Sequence, residues 1–123
     1  MASHISTSVV VAVALLVAAT SAAALPWQFT YRTMSTKYVT YGGTLGDPVQ
    51  PTAKDKKLAF AIRGSAAQEI FEAIGPDVRS CSGDATRERT KGDIDCVYAK
   101  ADGYTCWAGF DLRTGKSIGG SVC

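Results

Sequence analysis

Apolar and polar positions change period several times along this chain. From Trp27 to Tyr41, residues Trp27, Phe29 and Tyr31 share one face of a period-two pattern set among Thr and Tyr. That pattern predicts one long bent strand or two short ones. Gly42 to Lys57 has no clear period and contains Gly42-Gly43, Gly46-Asp47-Pro48 and Pro51, which predicts a long loop. Alternation returns over Lys57 to Arg63, with Leu58, Phe60 and Ile62 on one face of a strand.

The period then lengthens. Ala67, Ile70, Phe71 and Ile74 form a stripe at helical spacing, with Glu69 and Glu72 turned to water. Ser65 is placed to cap this helix, Gln68 completes a capping box, and Gly75-Pro76 ends it. Asp77 to Gly92 is polar and mixed in charge, and reads as a connection. Three short strands follow: Ile94, Cys96 and Tyr98 alternate in the first, and Tyr104 to Leu112 is apolar at its even positions. The last strand runs from Ser117 to Cys123. Turns are expected at Lys100–Gly103 and at Arg113–Lys116, where Gly115 suits a left-handed conformation and sets Phe110 opposite Ile118. The expected fold class is α+β: one short helix packed on a small antiparallel sheet that ends in a three-strand meander, with two disulfides.

The first residues belong to a different pattern. Val9 to Ala19 is an unbroken apolar run, followed by small residues up to Ala24 and then Leu25-Pro26. A short apolar run ending in small residues predicts a secretory signal peptide over 1–24 and a single disulfide-containing domain over 25–123. The run falls short of the roughly 20 residues that a bilayer span needs. No membrane association is therefore expected after cleavage, and the expected location is secreted or periplasmic.

Export changes what the cysteines mean. Cys81, Cys96, Cys106 and Cys123 contain no C-x-x-C pair, so they predict disulfides and not a metal site. A bulge at Gly119-Gly120 would bring Cys123 opposite Cys106, leaving Cys81 for Cys96, and this pairing is the expected one. The alternative joins Cys96 to Cys106 across the Lys100–Gly103 turn and leaves Cys81 for Cys123.

Composition narrows the chemistry. The 46% hydrophobic fraction excludes a disordered chain, and a net charge of +2 gives no footing for nucleic acid. The single His is His4, which lies in the export segment. The mature chain then has no Ser–His–Asp or Cys–His arrangement, no His-ligated zinc and no side chain that titrates near neutrality unperturbed. Neither a metal nor another cofactor is expected. Gly115-Lys116-Ser117 is a turn and not a phosphate loop, because a Walker A motif requires Gly where Phe110 stands.

Two features remain as candidate sites. The charged stretch that includes Arg87, Glu88, Arg89 and Lys91 reads as a disulfide-braced loop able to bind protein, and Trp107 as an aromatic anchor opposite the Cys106/Phe110 stripe. Trp107 could equally be covered by a second apolar layer from Trp27, Phe29 and Tyr31. The leading expectation is a non-enzymatic, exported binding protein whose partner is another exported protein, such as an inhibitor or immunity protein against a secreted hydrolase. The alternatives are a glycan-acting enzyme using two of Asp93, Asp95, Asp102 and Asp111, with Asp93 and Asp95 on one strand face, and a structural envelope protein with no discrete site.

Overall fold

The computed structural model describes residues 26–81 and 86–122. The expected export signal, residues 82–85 and Cys123 lie outside the described residues. The chain divides into two units, 1–30 and 31–123. In the first, residues 26–30 are irregular, the Trp27 and Phe29 rings lie 6.2 Å apart, and the Thr30 amide donates to the Gln28 carbonyl.

The second unit carries the sheet and the helix. Strands β1 (Ser35–Thr44), β2 (Asp47–Val49) and β3 (Lys57–Arg63) precede helix α1 (Ser65–Ala73). Strands β4 (Thr86–Lys91), β5 (Ile94–Ala99), β6 (Gly103–Asp111) and β7 (Ser117–Ile118) follow it. The strand order is β2-β1-β3-β6-β5-β4, with β7 added to β6, and every pairing is antiparallel. One helix on a mostly antiparallel sheet is the expected α+β class.

Cross-strand register sorts the side chains onto two faces. Ile62, Cys106 and Cys96 lie in one row under the helix, where Ala67, Phe71 and Ile74 complete the buried core. Tyr98 and Tyr104 close its rim, with the Tyr104 ring 5.2 Å from Phe71. The periods read for β3, α1, β5 and β6 produce this layer.

Several expectations are corrected. Regular structure begins at Ser35, not Trp27; Trp27, Phe29 and Tyr31 are exposed and form no second core layer. The expected loop over Gly42 to Lys57 contains the β1–β2 hairpin, which turns at Leu45-Gly46. Helix α1 is capped at Gly64 and Ser65 makes no capping bond, because β3 enters the helix through a Gly64 φ of 74°, a conformation that disfavours a side chain. The Asp77–Gly92 connection contains β4, so the meander has a further strand before β5. Asp93 falls in the β4–β5 turn and not on the face of β5.

The disulfide expectation also changes. Cys96 is bonded to Cys106, so the pairings Cys106–Cys123 and Cys81–Cys96 are excluded. The tight turn after Ala99, with Gly103 at a φ of 74°, brings Cys96 and Cys106 directly opposite each other. Cys81 is disulfide-bonded as well, and none of the described cysteines is free. At the last hairpin, Ile118 faces Gly109 and not Phe110. Gly120 lies so close to β6 that a Cβ there would come within 2.6 Å of the Ala108 backbone. The C-terminal segment is thereby laid against the sheet face away from the helix.

Candidate functional site

Of the residues singled out in the charged stretch, three serve the fold. Arg89 lies on the helix side of β4, with its guanidinium 4.4 Å from the Phe71 ring centroid. It donates to the Phe71 carbonyl at 2.9 Å and to Asp77 Oδ1 at 2.7 Å, tying β4 to the last turn of α1. Arg87 donates to both carboxylate oxygens of Asp77, at 2.7 and 3.1 Å. This bidentate grip from Arg87, reinforced by Arg89, lowers the Asp77 carboxyl to about 2.

Glu88 points the other way and is buried. Its Oε2 accepts the Cys81 amide at 3.0 Å, while its backbone carbonyl accepts the Val78 amide at 2.8 Å. The 77–81 segment therefore lies along the outer side of β4, which covers part of an otherwise vulnerable edge. Lys91, exposed at the strand end, takes no part in this lock.

Trp107 has different surroundings. It lies on the sheet face opposite the helix, in a cross-strand row formed by Lys37, Ala61, Trp107, Asp95 and Thr90. Val39 and Ala59 are paired in the neighbouring row. Alanines at 59 and 61 leave a depression between the taller side chains of β1 and β6. The resulting open cleft has a volume of about 220 Å³, and its lining includes Lys37, Val39, Leu45, Ala59, Ala61 and Trp107. This volume is below the roughly 300 Å³ at which small-molecule pockets begin, and fits a single inserted side chain better than a cofactor.

Both sides of the cleft are held in place. Asp95, beside Trp107, accepts hydroxyl bonds from Thr90 at 3.1 Å and Ser121 at 3.0 Å, which anchors the C-terminal segment. Near the β1–β2 hairpin, Asp55 accepts the Gly43 amide at 2.7 Å and pairs with Lys57. The Gly43 bond first, and Lys57 second, lower the Asp55 carboxyl below its usual range. Lys37, on the outermost strand of this face, stands exposed at the rim. The site therefore offers an apolar slot, an indole wall and one cation.

The remaining acidic candidates are dispersed. Asp102 is exposed in the β5–β6 turn, and Asp111 ends β6 and accepts the Arg113 amide at 2.9 Å. Asp111 is four positions along β6 from Trp107, which faces Asp95. Their backbones are therefore offset by roughly 13 Å along the strand direction. Among the described residues no group of His, Cys, Asp and Glu is arranged to hold a metal ion, and no helix is long and apolar enough to cross a membrane.

Sequence reasoning finds Trp107 but misses Lys37, Val39, Ala59 and Ala61. The small residues of β3 carry the signal, since alternating Ala59 and Ala61 behind Leu58, Phe60 and Ile62 leaves one face of the strand low. Comparison with protein-family models, with curated proteins and with solved structures finds no match. The fold and the site define a class by themselves: a small α+β domain with a disulfide under its helix and an apolar cleft on its other face.

Proposed function

We propose that this protein is a small exported binding module that receives an apolar side chain of another exported protein in the Trp107 cleft. The observation that carries this reading is the cleft itself, an apolar slot with an aromatic wall and Lys37 at its rim. Aromatic walls with small neighbours favour a buried anchor side chain, and the rim charge favours a carboxylate next to that anchor. A secreted hydrolase held by its inhibitor or immunity protein is the most concrete form of such a partnership. The charged strand β4 is the weaker candidate, because Arg87, Glu88 and Arg89 are already engaged within the fold.

The test compares the wild-type protein with Ala61→Phe, which fills the slot from β3, and with Lys91→Ala as a surface control. Immobilised protein is exposed to envelope and culture extracts, and retained proteins are identified by mass spectrometry. A partner retained by the wild type and by Lys91→Ala, but weakened at least about tenfold by Ala61→Phe, supports the reading. Retention of the same partner by Ala61→Phe, or no retention by any form, counts against it.

A further inference from the structure

Strand β1 pairs with β3 along Ser35–Tyr41 and with β2 only at Gly42–Thr44. Among the described residues nothing pairs with the other edge of the Ser35–Tyr41 stretch. The opposite margin of the sheet differs, since the 77–81 segment lies along β4 there. The stretch reads Ser-Thr-Lys-Tyr-Val-Thr-Tyr, rich in strand formers and carrying one charge, Lys37. Edges of this kind are usually blunted by several charges, prolines or bulges, and this one is not. Its central side chains are exposed, Tyr38 at 73% and Val39 at 49%.

From these features we infer that two copies of the chain pair through β1, antiparallel and two-fold symmetric, centred on Tyr38. Tyr38 is the midpoint of the Ser35–Tyr41 stretch, so this register pairs its full length. It sets Tyr38 against Tyr38 and Thr36 against Thr40 on the helix side, and Lys37 against Val39 on the cleft side. No like charges meet. Moving the centre to Lys37 places two ammonium groups directly opposite each other, which is unfavourable. Moving it to Val39 runs the pairing into Gly43, whose φ of 68° bends the backbone away from an extended strand.

Side-chain packing favours the same arrangement. Phe60 is paired with Tyr38, and its ring lies 6.3 Å from Phe110, which is 39% exposed. Around the two-fold these become an aromatic row across both copies, adding apolar burial to the backbone ladder. On the other face each Trp107 cleft is bounded by Lys37 and Val39 of its own β1. Pairing brings Val39 and Lys37 of the second copy against that boundary, so the clefts join into one groove with a two-fold at its centre. The joined groove deepens the binding reading above and rests on it, whereas the dimer does not.

Sedimentation equilibrium of the purified protein, with circular dichroism to confirm folding, is the experiment. The wild type is expected to sediment at twice the chain mass. Val39→Lys, which sets the introduced ammonium against Lys37 of the other copy twice per dimer, is expected to weaken association by about tenfold. Adding Lys37→Asp to Val39→Lys pairs opposite charges at both positions and is expected to restore it. Independently, Tyr38→Cys is expected to give a covalent dimer under mild oxidation, because the register brings the two substituted positions together. A monomeric wild type, a dimer unaffected by Val39→Lys, or failure of Tyr38→Cys to cross-link each overturns the inference. Ala61→Phe lies on β3 and leaves the mass unchanged, so loss of the partner and loss of the dimer are separate readings.

Discussion

Asp77 shows how much one carboxylate organises. It follows the helix-ending Gly75-Pro76 and gathers both Arg87 and Arg89 from β4, which in turn lie over Phe71. Its carboxyl is depressed to about 2 from an ordinary 3.8, chiefly by the Arg87 bonds and then by Arg89. A depressed folded-state value stabilises the fold above the unfolded value and loses that contribution as pH falls through the folded one. Stability is therefore expected to decline between about pH 4 and pH 2 as Asp77 takes up its proton. Asp77→Asn should be less stable at neutral pH and flatter across that interval, as measured by urea titration at each pH. The same residues explain why β4 reads as a connection in the sequence. Thr-Arg-Glu-Arg-Thr-Lys alternates faithfully, but its helix-side positions are arginines laid over an aromatic ring, and its other face buries a glutamate. A search for apolar alternation passes over such a strand.

At the scale of elements, the legible parts are those whose burial is apolar. Leu58, Phe60 and Ile62 mark β3, and Ala67, Ile70, Phe71 and Ile74 mark α1; the helix set and Ile62 pack in one core layer. Trp27, Phe29 and Tyr31 alternate just as well and form no strand, since period alone carries no information about a pairing partner. The β5–β6 hairpin carries the most consequential pairing. Cys96 and Cys106 are buried beneath α1, with the Cys106 sulfur 3.3 Å from the Ala67 carbonyl. Replacing both by Ala opens a short loop and removes two buried sulfurs at the contact between sheet and helix. The expected cost is about 3 kcal/mol, seen as a fall in Tm of roughly 10–20 °C by calorimetry. Lys91→Ala, at the exposed end of the neighbouring strand, serves as the neutral comparison.

For the whole molecule, the two faces of the sheet have separate tasks. The helix face holds the core and the disulfide, while the other face is only partly covered, by Leu45 and by Gly120–Val122. The cleft is half legible in the sequence: Trp107 stands out, but the depression beside it depends on Ala59 and Ala61 being brought level with it by register. Registry across strands far apart in sequence is not written in any local pattern. The inferred dimer adds a property that a single copy lacks. Its melting temperature is expected to rise with protein concentration, and Val39→Lys should displace that dependence to about tenfold higher concentration in a dilution series followed by circular dichroism.

The pairing of β3 with β6 joins residues 57–63 to residues 105–111. The other pairings lie within one half of the chain: β1 pairs with β2 and, past it, with β3 on one side, and β4 through β7 pair in chain order on the other. In kinetic terms the chain is two low-contact-order halves joined by one long-range seam, and closure of that seam is the slow entropic step. The Cys96–Cys106 bond lies wholly within the second half, so its oxidation does not wait for the seam. A chain whose thiols pair early arrives at that step with the β5–β6 hairpin already in register and with fewer unfolded conformations to search.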